Sequence, residues 1–196
     1  MPLVKENSQL YEVIKVGTVA GTPLTVADNN SSLTVDSKAY RSVVTITRPS
    51  NTTAYTAGDV VGDTSGSAII TLSNIGPSGG YVLVQSVSLI FSDSAVISGM
   101  GSYRLHFYSA SPTAIADNAV FDLVSGERAN YLGFVDLATP VDFGSSLYTQ
   151  TDYPGRLIKL AAGSTTLYAE LETKGAYTPA SASTIDVRVA TLEAGL

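Results

Sequence analysis

The sequence predicts an all-β protein, a jelly-roll-like antiparallel β-sandwich preceded by an extended N-terminal arm. Three observations lead to this prediction. Short strand-forming segments recur along the chain, with turn residues between them. Glu and Lys, which favour exposed helices, number only 6 and 5 among 196 residues. No long window has the 3.6-residue periodicity of an amphipathic helix. Many short strands separated by turns are typical of sandwiches and jelly rolls.

The predicted strands follow one another along the whole chain, and several of them alternate between apolar and polar residues. In the segment TTLYAELET, the residues Leu167, Ala169 and Leu171 share one face. Three strands are expected in the arm, at residues 11–17, 23–27 and 32–36. Nine are expected in the domain, at residues 42–48, 67–73, 81–91, 102–109, 130–137, 146–151, 156–161, 165–173 and 184–192.

One short segment is a candidate for a helical turn. It is SPTAIADNAVFDL, in which Ser111 would cap the turn and Pro112 would occupy its first position. Since the segment follows a predicted strand closely, any helix here is expected to be a single turn inside a connection.

Charge and cysteine content exclude several functional classes. The chain has 17 acidic and 11 basic residues, a net charge of −6, which argues against nucleic-acid binding and against an anionic membrane surface. It has no cysteine, so it forms no disulfide, thiolate metal site or thiol nucleophile. The start MPLVKENSQLYEVIKV lacks the apolar region of a secretory signal, which predicts synthesis in a cytosol. The longest apolar runs are too short to span a bilayer.

The single histidine, His106, poses the main chemical question. Asp117 and Asp122 follow it closely, which allows a general base with an orienting carboxylate, or two ligands of a metal. The alternation of the segment favours a simpler interpretation. His106 falls between Arg104 and Tyr108 on the polar face of a strand, where a histidine is usually a surface or interface residue.

The segment GPSGG at residues 76–80 matches the G-x-S-x-G pattern of a nucleophile elbow. That elbow requires a helix directly after the serine. The residues that follow here are YVLVQSVSLIF, which predict a strand, so a loop between two strands is expected instead.

A metal site is not predicted. One histidine and no cysteine exclude ordinary structural zinc. Calcium accepts carboxylate oxygens, but Asp59 and Asp63 lack the close spacing of a calcium loop. Asp117, Asn118 and Asp122 are better explained as residues that cap turns, and we expect Asp117 and Asp122 to fix the connection between two strands. The sequence therefore predicts no catalytic, cofactor-binding or metal-binding residue and no cofactor.

The aromatic content leaves two possibilities open. Eleven tyrosines and no tryptophan would suit a sugar-binding face, but tyrosine is equally common at protein interfaces. Only 14% of the residues are charged, which favours a subunit that packs against neighbours.

Four segments carry a resemblance to a known family: RPSNTTAYTAGDVVGD, then ITLSNIGPSGGYVLVQSVSLIFSDSAVISGMGSYRLHFYSASPTAIADNAVFDL, then YLGFVDLATPVDFGSSLYTQ, and finally KLAAGSTTLYAELETKGAYTPASAST. From about Arg48 to Leu196 the chain resembles the capsid cement, or decoration, proteins of tailed phages. These β-rich, jelly-roll-like subunits form trimers on the outer surface of the capsid.

The resemblance implies a non-enzymatic structural protein on the capsid exterior of the virion, made in the host bacterial cytoplasm. Its expected partners are the major capsid protein and two further copies of itself. Two other functions stay open: a glycan-binding virion adhesin, either a head fibre or a tail-associated receptor binder, and a β-sandwich hydrolase that uses His106.

The chain is expected to have two parts, an arm at residues 1–40 and a sandwich domain at residues 41–196. The arm contains no phenylalanine or tryptophan, and a ribbon of two or three strands is marginally stable alone in water. Strand addition to the edge of another sheet supplies main-chain hydrogen bonds without a large core. We therefore expect the arm to reach away from its own domain and contact a neighbouring subunit or the capsid.

Overall fold

The structure is a computed structural model that describes residues 4–6, 9–11 and 38–195. The chain divides into two compact units, residues 1–36 and residues 37–196.

In the first unit, strands β1 (Val4–Glu6) and β2 (Gln9–Tyr11) form an antiparallel pair. The strand predicted at residues 11–17 meets β2 only at Tyr11. The rest of that strand, the predicted strands at 23–27 and 32–36, and most of the predicted arm lie outside the described residues.

The second unit contains two antiparallel sheets. Sheet I has six strands, in the order β3 (Ala39–Thr47), β13 (Thr184–Ala194), β6 (Tyr81–Phe91), β10 (Leu147–Asp152) and β9 (Val141–Asp142), with β11 (Leu157–Lys159) paired to the start of β6. Sheet II has five strands, in the order β4 (Val60–Val61), β12 (Leu167–Thr173), β7 (Tyr103–Tyr108) and β8 (Tyr131–Leu137), with β5 (Ile70–Leu72) paired to the start of β12.

The connectivity is that of a jelly roll. The chain passes repeatedly between the two sheets, and its first and last long strands, β3 and β13, lie side by side. Both β10 and β11 pair with β6, and both β4 and β5 pair with β12, so each of these pairs acts as one interrupted strand. Counted this way, the unit has the eight strands of a jelly roll, with β9 as an additional edge strand. The predicted fold class is confirmed.

The core lies between the inner faces of the two sheets. Along most of β13 every second side chain is buried, including those of Ile185, Val187 and Val189. Strand β6 of the same sheet and strands β7 and β12 of sheet II contribute further buried side chains: Val87, Leu89, Phe91, Tyr103, Leu105, Phe107, Leu167, Ala169 and Leu171. Burial of one large apolar side chain contributes roughly 1.5–3 kcal/mol, so this layer is the main source of stability.

All nine strands predicted in the domain are present, and the one at residues 81–91 matches β6 at both ends. The strands β4 and β9, each of two residues, were not predicted, because two residues carry no periodicity.

The helical turn predicted from Ser111 and Pro112 is wrong. Val60 N–H donates to Ala119 O at 2.8 Å, and Asn118 N–H donates to Val60 O at 3.0 Å, so this segment pairs with β4 instead of coiling on itself. The one helical turn within residues 38–195 is a 3₁₀ turn at Ser125–Glu127.

Candidate functional site

The outer face of sheet II is covered by the chain itself. The connection from β7 to β8, residues 109–130, is called the covering segment below. Its Phe121 ring stacks on the His106 ring, with 3.8 Å between the ring centroids. Phe121 N–H also donates to Gly58 O at 2.8 Å, next to β4. His106, Glu170 and Glu172 are therefore enclosed between the sheet and the covering segment, whereas Arg104 and Asp136 on the same face stay partly exposed.

His106 lies on the predicted polar face of β7, but it is only 3% exposed. The expectation of a surface or interface residue is therefore wrong, because alternation indicates the face of a strand and not what covers that face. Both ring nitrogens have partners: Nδ1 is 2.9 Å from Tyr131 Oη, and Nε2 is 3.0 Å from Glu172 Oε2. Burial lowers the pKa of His106, and Glu172 only partly offsets this effect. A neutral, enclosed imidazole with both nitrogens engaged is not placed to act on a substrate.

Glu170 is the second enclosed ionisable group on this face. It is 1% exposed, and Tyr108 Oη donates to its Oε2 at 3.1 Å. Its Oε1 has no hydrogen-bond partner in the part of the chain that the structure describes. Burial raises the pKa of Glu170 to about 7, and the negative charge of Glu127 contributes in the same direction.

Asp117 joins the covering segment to the end of β3. Its Oδ2 accepts from Nη2 of the fully buried Arg48 at 3.0 Å, and its Oδ1 accepts from Tyr55 Oη at 2.5 Å and from Gly62 N–H at 2.9 Å. Arg48 Nε also donates to Tyr55 Oη, at 2.5 Å. The prediction that Asp117 fixes the connection is confirmed, and Asp117 is not the partner of His106.

The remaining acidic candidates have separate roles. Asp59 accepts from Thr56 N–H at 2.6 Å, and Asp63 accepts from Ser65 N–H at 2.8 Å, so both cap turns, a role that was not predicted for them from the sequence. Asp122 is exposed to solvent. Among residues 4–6, 9–11 and 38–195, no group of three or more histidine and acidic side chains is placed to hold a metal.

The segment GPSGG at residues 76–80 lies in the turn between β5 and β6. The prediction of a loop is confirmed, and the helix that a nucleophile elbow requires is not present in this part of the structure. The 3₁₀ turn is too short to cross a membrane, and the described residues contain no longer helix.

Within residues 38–195 no segment covers the outer face of sheet I, which is the candidate interaction surface. Its outward-facing side chains form three rows across four strands, as the pairing registers show. From β3 through β13 and β6 to β10, the rows are Thr45–Asp186–Ile90–Tyr148, then Val43–Arg188–Ser88–Gln150, and finally Arg41–Ala190–Ser86–Asp152.

Small side chains at the centre of these rows produce a depression in the surface. Ser86, Ser88 and Ala190 form its floor, and the depression, called the trough below, has a volume of about 180 Å³. Four longer side chains line it: Arg41, Arg188, Tyr148 and Gln150. Guanidinium, hydroxyl and amide groups thus converge on one concave site.

An apolar region adjoins the trough. A second depression is lined by Ile90, Phe143, Leu147 and Tyr148, so Tyr148 borders both. Phe143 is 68% exposed, and its ring meets Tyr148 edge-on at a centroid distance of 5.7 Å. Arginine and aromatic residues are enriched at the cores of protein interfaces. The sequence-based expectation of a subunit that packs against neighbours stays a prediction, and this surface is the candidate place for such contact.

Comparisons with known proteins give matches only among solved structures. No protein-family model matches the chain, and no curated protein matches it. A chain of the capsid asymmetric unit of cyanophage Pam1 is 16% identical, with a TM-score of 0.35, and the match covers 92% of this chain and 100% of that one. A chain of the native virion of Kashmir bee virus at neutral pH is 13% identical, with a TM-score of 0.32, and the match covers 98% of this chain and 88% of that one. These matches do not identify the phage cement family.

Replacing Asp117 with alanine should destabilise the protein strongly, because the buried guanidinium of Arg48 would lose its counter-charge. Removing one partner of a buried ion pair costs about 3 kcal/mol. The control Asp122→Ala removes an exposed carboxylate five positions further along the covering segment and should change stability by less than about 0.5 kcal/mol. Urea denaturation measures both variants. Equal losses would show that the Arg48–Asp117 contact is not a major source of stability.

Glu170 should make the protein more stable as the pH falls from 7 toward 4.5. Its pKa is about 7 in the folded state against an ordinary value of 4.5. Above pH 7 the buried carboxylate is ionised and destabilising, whereas between these values the folded state takes up a proton that the unfolded state does not. The full effect is at most about 3 kcal/mol.

The variant Glu170→Gln should be more stable than wild type at pH 8, and this difference should shrink as the pH falls toward 4.5. His106, whose pKa is lowered by burial, makes the protein less stable as the pH falls. Because wild type and Glu170→Gln share this effect, comparing their free energies of unfolding by urea denaturation cancels it. Glu193→Gln, at a half-buried glutamate of β13, serves as the control and should follow the wild-type pH dependence. A constant difference between Glu170→Gln and wild type at every pH would contradict this assignment.

Proposed function

We propose that the protein is a non-enzymatic structural component of a virion, a capsid decoration protein that binds the outer surface of a tailed-phage head as a trimer. The sequence resemblance from Arg48 to Leu196 supports this family. A jelly roll hosts many unrelated functions, so the fold alone does not decide the matter.

The observation that carries the proposal is the difference between the two outer faces of the sandwich. On the outer face of sheet II, Phe121 covers His106 and leaves its imidazole no access to a substrate. The open face carries Arg41, Arg188 and Tyr148 in a pattern that suits contact with another protein. A candidate binding surface, together with a histidine that is enclosed within residues 38–195, favours a structural role over a hydrolase that uses His106.

Decoration stabilises a capsid through mass action. A protein that binds only the expanded lattice lowers the free energy of that lattice by its binding free energy. At a free concentration one hundred times the dissociation constant, this contribution is about 2.7 kcal/mol per site. Summed over many sites, it opposes the internal pressure of packaged DNA.

One observation favours a glycan-binding adhesin as the second candidate. Tyr148 borders the trough, and Tyr153 is largely exposed next to the end of β10. Flat aromatic surfaces of this kind stack on sugars as well as on proteins. Clear binding on a glycan array, together with a location on the phage tail, would favour this function over decoration.

The proposed function is tested by mixing the purified full-length chain with expanded, undecorated capsids of the phage that encodes it. We expect saturable co-sedimentation, weaker binding to unexpanded capsids and a higher temperature of capsid disruption. Sedimentation equilibrium of the protein alone should give a trimer. If the chain fails to bind, and capsids without it are equally robust, the proposal is wrong. A stable monomer at micromolar concentration would contradict the trimer alone.

A further inference from the structure

We propose that the trough on sheet I is a carboxylate-binding site that receives an acidic side chain of the capsid subunit. This inference rests on the proposed function, and it adds the place of contact and the chemistry of the partner group.

The size of the trough limits what it can hold. Its volume of about 180 Å³ is smaller than the roughly 300–1,000 Å³ typical of pockets for drug-sized ligands. One short side chain suits this space better than an extended ligand. The floor of Ser86, Ser88 and Ala190 allows such a group to approach the sheet closely.

The donors that line the trough select an anion. Arg188 donates from Nη2 to Asp186 Oδ2 at 2.8 Å, which uses one of the five N–H groups of its guanidinium. Its Nε is buried and has no acceptor among the described residues, so the N–H groups that a ligand can reach are elsewhere on this side chain, which is 31% exposed. Arg41 and two serine hydroxyls lie around the same depression. These donors leave hydrogen-bonding capacity for an incoming acceptor.

Asp186 holds Arg188 in place without occupying its remaining donors. Thr45 Oγ1 donates to Asp186 Oδ1 at 2.7 Å, while Oδ2 accepts from Arg188. Because each carboxylate oxygen already has a partner, Asp186 is fixed in position. The hydrogen bond from Thr45, together with Arg188, lowers the pKa of Asp186 and keeps it ionised. An arginine oriented in advance loses less conformational entropy on binding a ligand.

The charge balance favours a carboxylate. The residues that line the trough include two arginines, Arg41 and Arg188, and no acidic residue, on a chain whose net charge is −6. Two carboxylates flank the lining: Asp186 pairs with Arg188, and Asp152 accepts from Gln150 Nε2 at 2.5 Å. An incoming carboxylate would face the two arginines, and the planar guanidinium matches its geometry.

The apolar region next to the trough points to a protein as the source of the carboxylate. Phe143 and Ile90 lie beside Tyr148, which borders the trough, and Val43 is 48% exposed at its other side. A small free carboxylic acid bound in the trough would not contact this apolar region. A protein segment that carries an acidic residue next to an apolar one would fill both depressions, with aromatic and arginine residues at the centre of the contact.

The test compares three arginine variants of the full-length chain in binding to expanded capsids. Arg188→Gln and Arg41→Gln should each weaken binding at least about tenfold, with most of the change in the dissociation rate. Arg128→Gln changes the charge equally at an exposed position of the covering segment and should bind within about twofold of wild type. Phe143→Ala should also weaken binding.

A second measurement does not depend on capsids. In the ¹⁵N-labelled protein, sodium acetate should shift the Nε–Hε resonances of Arg188 and Arg41 saturably, compared with sodium chloride at equal ionic strength. The resonance of Arg104, which already forms a paired contact with Asp136 at 2.6 Å and 3.2 Å, should not move.

The outcomes separate the two proposals. If wild type binds capsids and the variants at Arg41 and Arg188 bind equally well, the carboxylate site is wrong while the decoration function stands. If these variants lose the trimer instead of capsid affinity, the occupant is a second copy of the chain and the inference is overturned. If wild type does not bind capsids, the proposed function fails, and an absence of acetate-specific shifts would then overturn the carboxylate site as well.

Discussion

The ion pair between Arg48 and Asp117 is the contact on which the arrangement of the outer surfaces depends. It joins the end of β3 to the covering segment across 69 positions in the sequence. Both partners are enclosed, so the cost of removing their charges from water is offset only while the geometry is maintained. With Asp117 held in place, Phe121 lies over His106, and the part of the polar face of sheet II around His106 is removed from solvent.

A jelly roll has two outer faces, and in this chain the two differ in how much of their surface is exposed. One is closed by its own covering segment, which encloses His106, Glu170 and Glu172. The other is left open, with Arg41 and Arg188 beside Tyr148. Next to these arginines, the exposed side chains of Val43 and Phe143 add apolar surface that a bound partner would bury.

Much of the fold could be predicted from the sequence, because apolar and polar residues alternate along a strand that has one buried face. The burial of Leu167, Ala169 and Leu171 follows directly from it. The burial of Glu170 and His106 did not follow, because alternation cannot say whether another segment covers the second face. Only the tertiary structure distinguishes Asp117 from Asp122, two aspartates five positions apart in the same connection. The trough was equally hidden, since it depends on a register that brings Ser88 and Gln150 to the side of Arg188.

The central claim is that the open face of sheet I is the docking face. Hydroxyl-radical footprinting of the protein, free and bound to expanded capsids, tests it most directly. Phe143 and Tyr148 should lose labelling on binding, whereas Tyr131, on sheet II, should keep its labelling. Protection of Tyr131 with unchanged labelling of Phe143 and Tyr148 would contradict the claim.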